Sequence, residues 1–199
     1  MLKGATNTQY VERHGLELLL RSGLIQHWHC AIDGGAHVGT WSELLADRFD
    51  AVHAFEPGPA FEHLAINAQN WANVILHNAA LTDEPCAVES WHRKPKAKLT
   101  ARKIRKVSHG KLRGVTIDSL DLDQCSLIKL DIEGFEYPAL IGAKETITRC
   151  KPFVLVELAG NGGHIGRNDS DVVAILDQFG YHEVWNWGVD HGFAPKGEP

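Results

Sequence analysis

Five polar residues of this 199-residue chain occupy one kind of place: Asp33, Glu56, Asn78, Asp131 and Glu157 each end or directly follow a short apolar run. Where such runs are strands of a parallel sheet, ligands gather at their carboxyl ends. The first of these residues opens Asp33-Gly34-Gly35-Ala36-His37-Val38-Gly39. Glycines there let the backbone turn sharply into a helix and pass close to a ligand. The dinucleotide fingerprint is not met, because Ala36 stands at its second glycine. A carboxylate at Asp33 would repel a pyrophosphate and suit a cationic amino group. Glu56 can accept hydrogen bonds from both hydroxyls of a ribose. Together these residues indicate an adenosine ligand with a cationic end, S-adenosylmethionine before a dinucleotide.

The elements that must position these residues alternate. Cys30–Asp33, Ala51–Glu56, Val74–His77, Leu127–Asp131, Phe153–Glu157 and Tyr181–Trp187 read as strands, with Ala87–Trp91 as a further one. Helices are expected between them. One is capped by Thr40 with Glu43 three residues on, one opens at Pro59, one at Pro138, and one is capped by Ser170 and ended by Gly180. Tyr10–Leu24 is an amphipathic helix outside the alternation, read as an interface or lid. The pattern predicts an α/β, doubly wound Rossmann-like fold, its sheet mostly parallel and covered by helices on both faces. It divides into an N-terminal helical extension (1–28) and a single domain (29–199) carrying a basic insertion (93–113).

Charge singles out that insertion. Ten of the 20 Lys and Arg lie between Arg93 and Arg113, and no Asp or Glu occurs from Ser90 to Ile117. The rest of the chain sets ten cations against 25 acids. A uniformly basic nucleic-acid coat is excluded, whereas a local polyanion contact is not. A charge run of this kind has the composition of a solvated or partly disordered insertion. The four cysteines are far apart with no C-x-x-C pair, and no apolar run approaches the roughly 20 residues of a membrane span. A reduced, cytoplasmic protein is the expectation. Twelve histidines are scattered. His27-Trp28-His29-Cys30 is their one dense group, and it reads as a strand entrance rather than a metal site.

The ordered runs AIDGGAHVGTWSELLADRF, VHAFEPGPAFEHLAINAQN, VILHNAALTD, LIKLDIEGFEYPALIGAKETI and FVLVEL resemble the FkbM family of S-adenosylmethionine-dependent methyltransferases over roughly Cys30 to Leu158. Lys129-Leu130-Asp131-Ile132-Glu133-Gly134-Phe135-Glu136 is the most distinctive part. The family commonly has Asn where this chain has His37. The resemblance implies a seven-stranded sheet with a final antiparallel strand, and O-methylation of hydroxyls on sugars or secondary metabolites. Carried over by position, Asp33, Gly35, Ala36, His37 and Gly39 would border the methionine part of the cofactor. Glu56 would hold the ribose, Asn78, Ala79 and Ala80 would border the adenine, and Asp131 would lie near the reacting methyl group.

Methyl transfer to a hydroxyl needs alignment and removal of a proton. Asp131 and Glu133 are candidates for that base, with Glu157 as a third carboxylate. Burial that raises a carboxylate pKa, or a divalent metal that acidifies the hydroxyl, would make such a base effective. Asp131 and Glu157 alone are thin support for a metal. On the acceptor side, the glycine-rich stretch Ala159–Arg167 is expected to form a lid from which His164 and Arg167 reach a substrate. The basic stretch, with Lys103, Arg105 and Lys106, is expected to select an anionic small-molecule or glycan acceptor. The competing readings are a non-catalytic module that binds nucleic acid or another polyanion, and a nicotinamide-dependent oxidoreductase, which Asp33 and Ala36 disfavour. The sequence leaves the oligomeric state open.

Overall fold

The computed structural model describes residues 2–5, 7–91 and 103–197. Its centre is a seven-stranded sheet. The strands are β1 (Cys30–Gly34), β2 (Ala51–Phe55), β3 (Val74–His77), β8 (Leu127–Leu130), β9 (Phe153–Glu157), β10 (Tyr181–Trp187) and β11 (Asp190–Pro195). They lie in the order β10-β11-β9-β8-β1-β2-β3. Neighbours among β3, β2, β1, β8 and β9 are parallel, and β11 runs antiparallel between β9 and β10. The order reverses between β1 and β8, which places the switch point at Gly34 and Asp131.

Side chains alternate across this sheet with the period of two that a strand imposes. Cys30, Ile32, Ile128, Leu130, Val154 and Val156 enter one core, beneath α4 (Glu136–Ile141), α5 (Lys144–Cys150) and α6 (Asp169–Gln178). Ala31, Leu127, Phe153 and Leu155 enter the other, with Trp41 and Leu45 of α2 (Thr40–Ala46). Lys129 falls on this second face by the same alternation, since it lies two residues after Leu127. Helix α1 (Asn7–Arg21) contributes Leu16, Leu19 and Leu20 to that core. The 1–28 segment thus packs against the sheet by a stripe of buried leucines, each worth roughly 1.5–3 kcal/mol of apolar burial. Among the described residues no helix is long and apolar enough to cross a membrane, and the four cysteines are unpaired.

A second sheet, of order β4-β7-β5-β6, stands beside the first. It is built from β4 (Ala79–Leu81), β5 (Cys86–Trp91), β6 (Lys103–Val107) and β7 (Leu112–Val115). The expectation of a solvated basic insertion is corrected here. Ile104 is buried with Val88 and Phe135, so the second half of that stretch folds into strands around an apolar seam. Arg93, Lys94, Lys96, Lys98 and Arg102 lie outside the described residues.

Two expected caps are also corrected. Thr40 is inside α2, whose N-cap is Gly39 at φ +94° with no side-chain hydrogen bond. A Cβ at Gly39 would meet Leu64 and Trp71 at 2.9 Å. Ser170 is inside α6, where Asn168 and Asp171 form the capping box, the Asn168 side chain accepting from the Asp171 N–H. Strand β11 is missing from the sequence reading of the elements because Asp190–Pro195 has no apolar run. Only Gly192 and Phe193 are buried in it.

Candidate active site

The loop after β1 is pinned to its neighbours before any side chain acts. The N–H groups of Gly35 and Ala36 both donate to the Phe55 carbonyl, and Asp131 N–H donates to Gly34 O. Gly35 has φ +78°, and a Cβ there would lie 1.8 Å from the Asp131 carbonyl oxygen. Only glycine fits where the two strand ends touch. His37 also takes the left-handed region, at φ +52°, where His, like Asn and Asp, is enriched among non-glycine residues. Ala36 is buried against Ala54 and Leu64.

Beside this loop, Glu56 Oε2 accepts the His37 N–H at 3.1 Å. Glu56 is half-buried in the cleft, and loss of solvent raises its pKa to about 7 against the opposing pull of the His37 N–H and Lys129. Asn78 faces the same end of the sheet, its Oδ1 accepting from Gly58 N–H at 3.4 Å. Ala79 and Ala80 are both buried in β4, on opposite faces and in separate apolar clusters.

Asp33 does not open into the cleft. Its side chain is fully buried, with Lys129 Nζ 3.0 Å from Oδ1 and the Ser42 hydroxyl donating to Oδ2 at 2.6 Å. The cation it meets is Lys129, which corrects the expectation that it faces a ligand amino group. Lys129 also donates to Gly34 O at 3.1 Å and Gly35 O at 3.3 Å, lies 3.9 Å from Asp131 Oδ2, and sits 4.8 Å from the Trp41 ring centroid. Burial pulls its pKa down, but Asp33 and Asp131 outweigh that and hold it above the ordinary value. One buried ammonium therefore fastens the glycine loop to the ends of β1 and β8.

The three catalytic candidates come together at the ends of β8 and β9. Asn161 Nδ2 donates to Glu133 Oε2 at 3.2 Å and reaches Glu157 Oε2 at 3.5 Å. Glu133 has φ +58° and Gly134 φ +94°. A Cβ on Gly134 would lie 2.3 Å from Asn161 O, so the two loops touch through backbone. Glu136 caps this turn: its Oε1 accepts from the N–H groups of Ile132 at 3.0 Å and Gly134 at 3.2 Å. Loss of solvent raises the pKa of Glu157 to about 8, reinforced by Asp131, Glu133, Glu136 and Asp190. Among the described residues no three His, Cys, Asp or Glu are placed to hold a metal ion.

Residues 33–183 match the model of the methyltransferase FkbM domain. The chain belongs to the FkbM methyltransferase family. A crystal structure of an FkbM methyltransferase from Methylobacillus flagellatus KT superposes with a TM-score of 0.58 at 18% identity, over 87% of this chain. The match spans 46% of that chain's length. Magnesium protoporphyrin IX methyltransferase from Synechocystis PCC 6803, crystallised with bound SAM, gives 0.53 at 12% identity over 98% of this chain and 86% of its own. Precorrin-6y C5,15-methyltransferase from Geobacter metallireducens GS-15 gives 0.52 at 13%, over 97% and 90%. At such identities the likeness is one of fold, the Rossmann-like methyltransferase sheet. No curated protein sequence matches.

In this FkbM domain the expected lid is a 3-10 turn, Asn161–Ile165, tied to β6. Lys103 Nζ donates to Asn161 O at 2.7 Å. Both His164 ring nitrogens face carbonyls, Nδ1 on Asn161 O at 3.0 Å and Nε2 on Ile104 O at 3.1 Å. Arg105 pairs with Glu89, and Lys106 with Asp83 at 2.7 Å and Glu84 at 2.8 Å. Of the acceptor-side candidates, Lys103, Arg105 and His164 thus have protein partners. Arg167 instead stacks on Tyr137, its guanidinium carbon 4.1 Å from the ring centroid. Sequence reasoning leaves Lys129, Glu136 and Asn161 out of the site. A lysine inside an otherwise apolar strand was the available signal for the first.

Proposed function

We propose that this FkbM domain transfers a methyl group from S-adenosylmethionine to a hydroxyl of a sugar, glycan or secondary metabolite, anionic acceptors included. The observation that carries the reading is Glu56, held by the His37 N–H at the mouth of the glycine loop within a chain whose residues 33–183 match the family. The residues present fit the cofactor. Glu56 spends a single hydrogen bond on the protein among the described residues, which leaves acceptor capacity for ribose hydroxyls. Gly58 beside it has only the Ser90 hydroxyl, 3.6 Å from where a Cβ would stand. The Synechocystis methyltransferase of the same fold holds SAM, which supports the choice of ligand.

S-adenosylmethionine brings a methyl group already activated on sulfonium. The protein then has to align the hydroxyl and take up its proton. In this reading Asp131, at the end of β8, orients the acceptor. Glu157 is the base in this reading, because a carboxylate with a pKa near 8 takes a proton more readily than an ordinary one near 4.3. Asn161, whose amide reaches both Glu133 and Glu157, holds that carboxylate in place. A screen of radiolabelled methyl transfer across glycan, lipid-linked and small-molecule acceptors, with Asp131→Ala as control, tests the activity. Label in an acceptor hydroxyl from wild type and not from the control is expected; label on nitrogen or carbon would overturn the O-methyl assignment.

A further inference from the structure

One cavity lies outside the machinery assigned above. A pocket of about 300 Å³ opens between α4, β6 and the segment leading into α6, at the small end of the range for ligand sites. Phe135, Tyr137 and Ile165 give it an apolar lining, and Arg105, Lys106 and Arg167 stand around it together with the Asp83 carboxylate, which pairs with Lys106. The three cations are not equivalent. Arg105 and Lys106 are matched by Glu89, Asp83 and Glu84. Arg167 has no carboxylate partner among the described residues.

The Arg167 backbone is fixed. Its N–H donates to Gly162 O at 3.2 Å, and the next residue, Asn168, caps α6. Its guanidinium lies on the Tyr137 ring, a stack that occupies the face of the group and leaves its N–H edges to fork onto a planar or tetrahedral anion. The reaction centre itself carries the Asp131 and Glu133 carboxylates, which repel an anion. An anionic acceptor therefore needs its charge held apart from those carboxylates. Phe135 is the N-cap of α4 and Tyr137 lies in its first turn, directly after the loop of Asp131 and Glu133, which puts the pocket at the same end of the sheet.

We propose that this pocket anchors the acceptor through a carboxylate or phosphate on Arg167, with an apolar, ring-bearing body against Tyr137 and Ile165. The proposal rests on the methyltransferase reading for its role and on the pocket for its chemistry. Calorimetric titrations of the full chain with phenyl β-D-glucuronide, phenyl phosphate and the neutral phenyl β-D-glucoside test it. At least one of the two anions is expected to bind at least tenfold more tightly than the glucoside, and the tighter one names the preferred anionic group. Arg167→Gln is expected to abolish that preference, and Tyr137→Leu to weaken binding of all three probes; both variants are first shown to melt like wild type. Equal affinity for charged and neutral probes, no binding of either anion, or a preference that survives Arg167→Gln overturns the proposal. S-adenosylhomocysteine titrated into the same wild-type protein examines the methyltransferase reading separately, so either idea can fail alone.

Discussion

Lys129 Nζ stands 3.0 Å from the Oδ1 of Asp33, both side chains closed off from solvent inside the sheet. Such a pair contributes little over an apolar pair of the same size, yet removing one partner strands the other charge. Lys129→Met is therefore expected to lower stability by about 3–5 kcal/mol. Asp33→Asn, which keeps the Ser42 contact, should lose less, and the double variant should lose less than the two single losses combined. Urea unfolding of the four proteins checks this. Strictly additive losses would contradict the pairing.

Gly35 tests the backbone contact between β1 and β8. Alanine there would need to keep φ +78° with its Cβ 1.8 Å from the Asp131 carbonyl, so something must move. We expect Gly35→Ala to lose cofactor binding at least tenfold with a lowered melting temperature. Gly163→Ala, where a Cβ meets nothing within 4 Å, should melt like wild type.

Glu136 sets a pH dependence of stability. Burial raises its pKa to about 7 from an ordinary 4.5, against the N–H groups of Ile132 and Gly134. Between those two values the folded chain binds more proton than the unfolded one, so stability falls as pH rises. Across that window this group's share of the loss approaches about 1.4 kcal/mol per pH unit. Glu136→Gln, which keeps an oxygen acceptor for the same two N–H groups, should flatten the slope of unfolding free energy between pH 5 and 7. An unchanged slope would show that another group governs it.

Glu157 should govern the rate. With a pKa near 8 it is mostly protonated at neutral pH, and only its ionised form accepts a proton. Turnover is expected to rise with pH and level off above about 8. Glu157→Gln should lose about 100-fold or more together with that rise. A flat profile in wild type would assign the base elsewhere.

Much of the sheet could be read from the sequence because its strands are short apolar runs ended by a polar residue. Val74–His77 and Phe153–Glu157 have the expected bounds, and the ends of β1 and β2 shift by one residue. The gathering of Asp131, Glu133 and Glu157 followed from the rule that strand ends cluster. What escaped depends on three-dimensional burial. Asp33 has the position of a ligand-facing carboxylate, and only packing under α2 turns it toward Lys129 and Ser42. The cations of β6 looked unopposed along the chain because their acids, Asp83, Glu84 and Glu89, lie on or just before β5, the strand that pairs antiparallel with β6, and a count along the chain does not see that pairing. The caps failed for a local reason. Gly39 and Asn168 occupy the N-cap backbone geometry one and two residues before the hydroxyls that matched the motif.

The most direct test of the central claim is calorimetric titration of S-adenosylmethionine into wild-type protein and Glu56→Ala. One molecule is expected to bind per chain, with affinity at least tenfold weaker in the variant. A wild-type protein that binds none, or a Glu56→Ala protein that binds equally well, would contradict it.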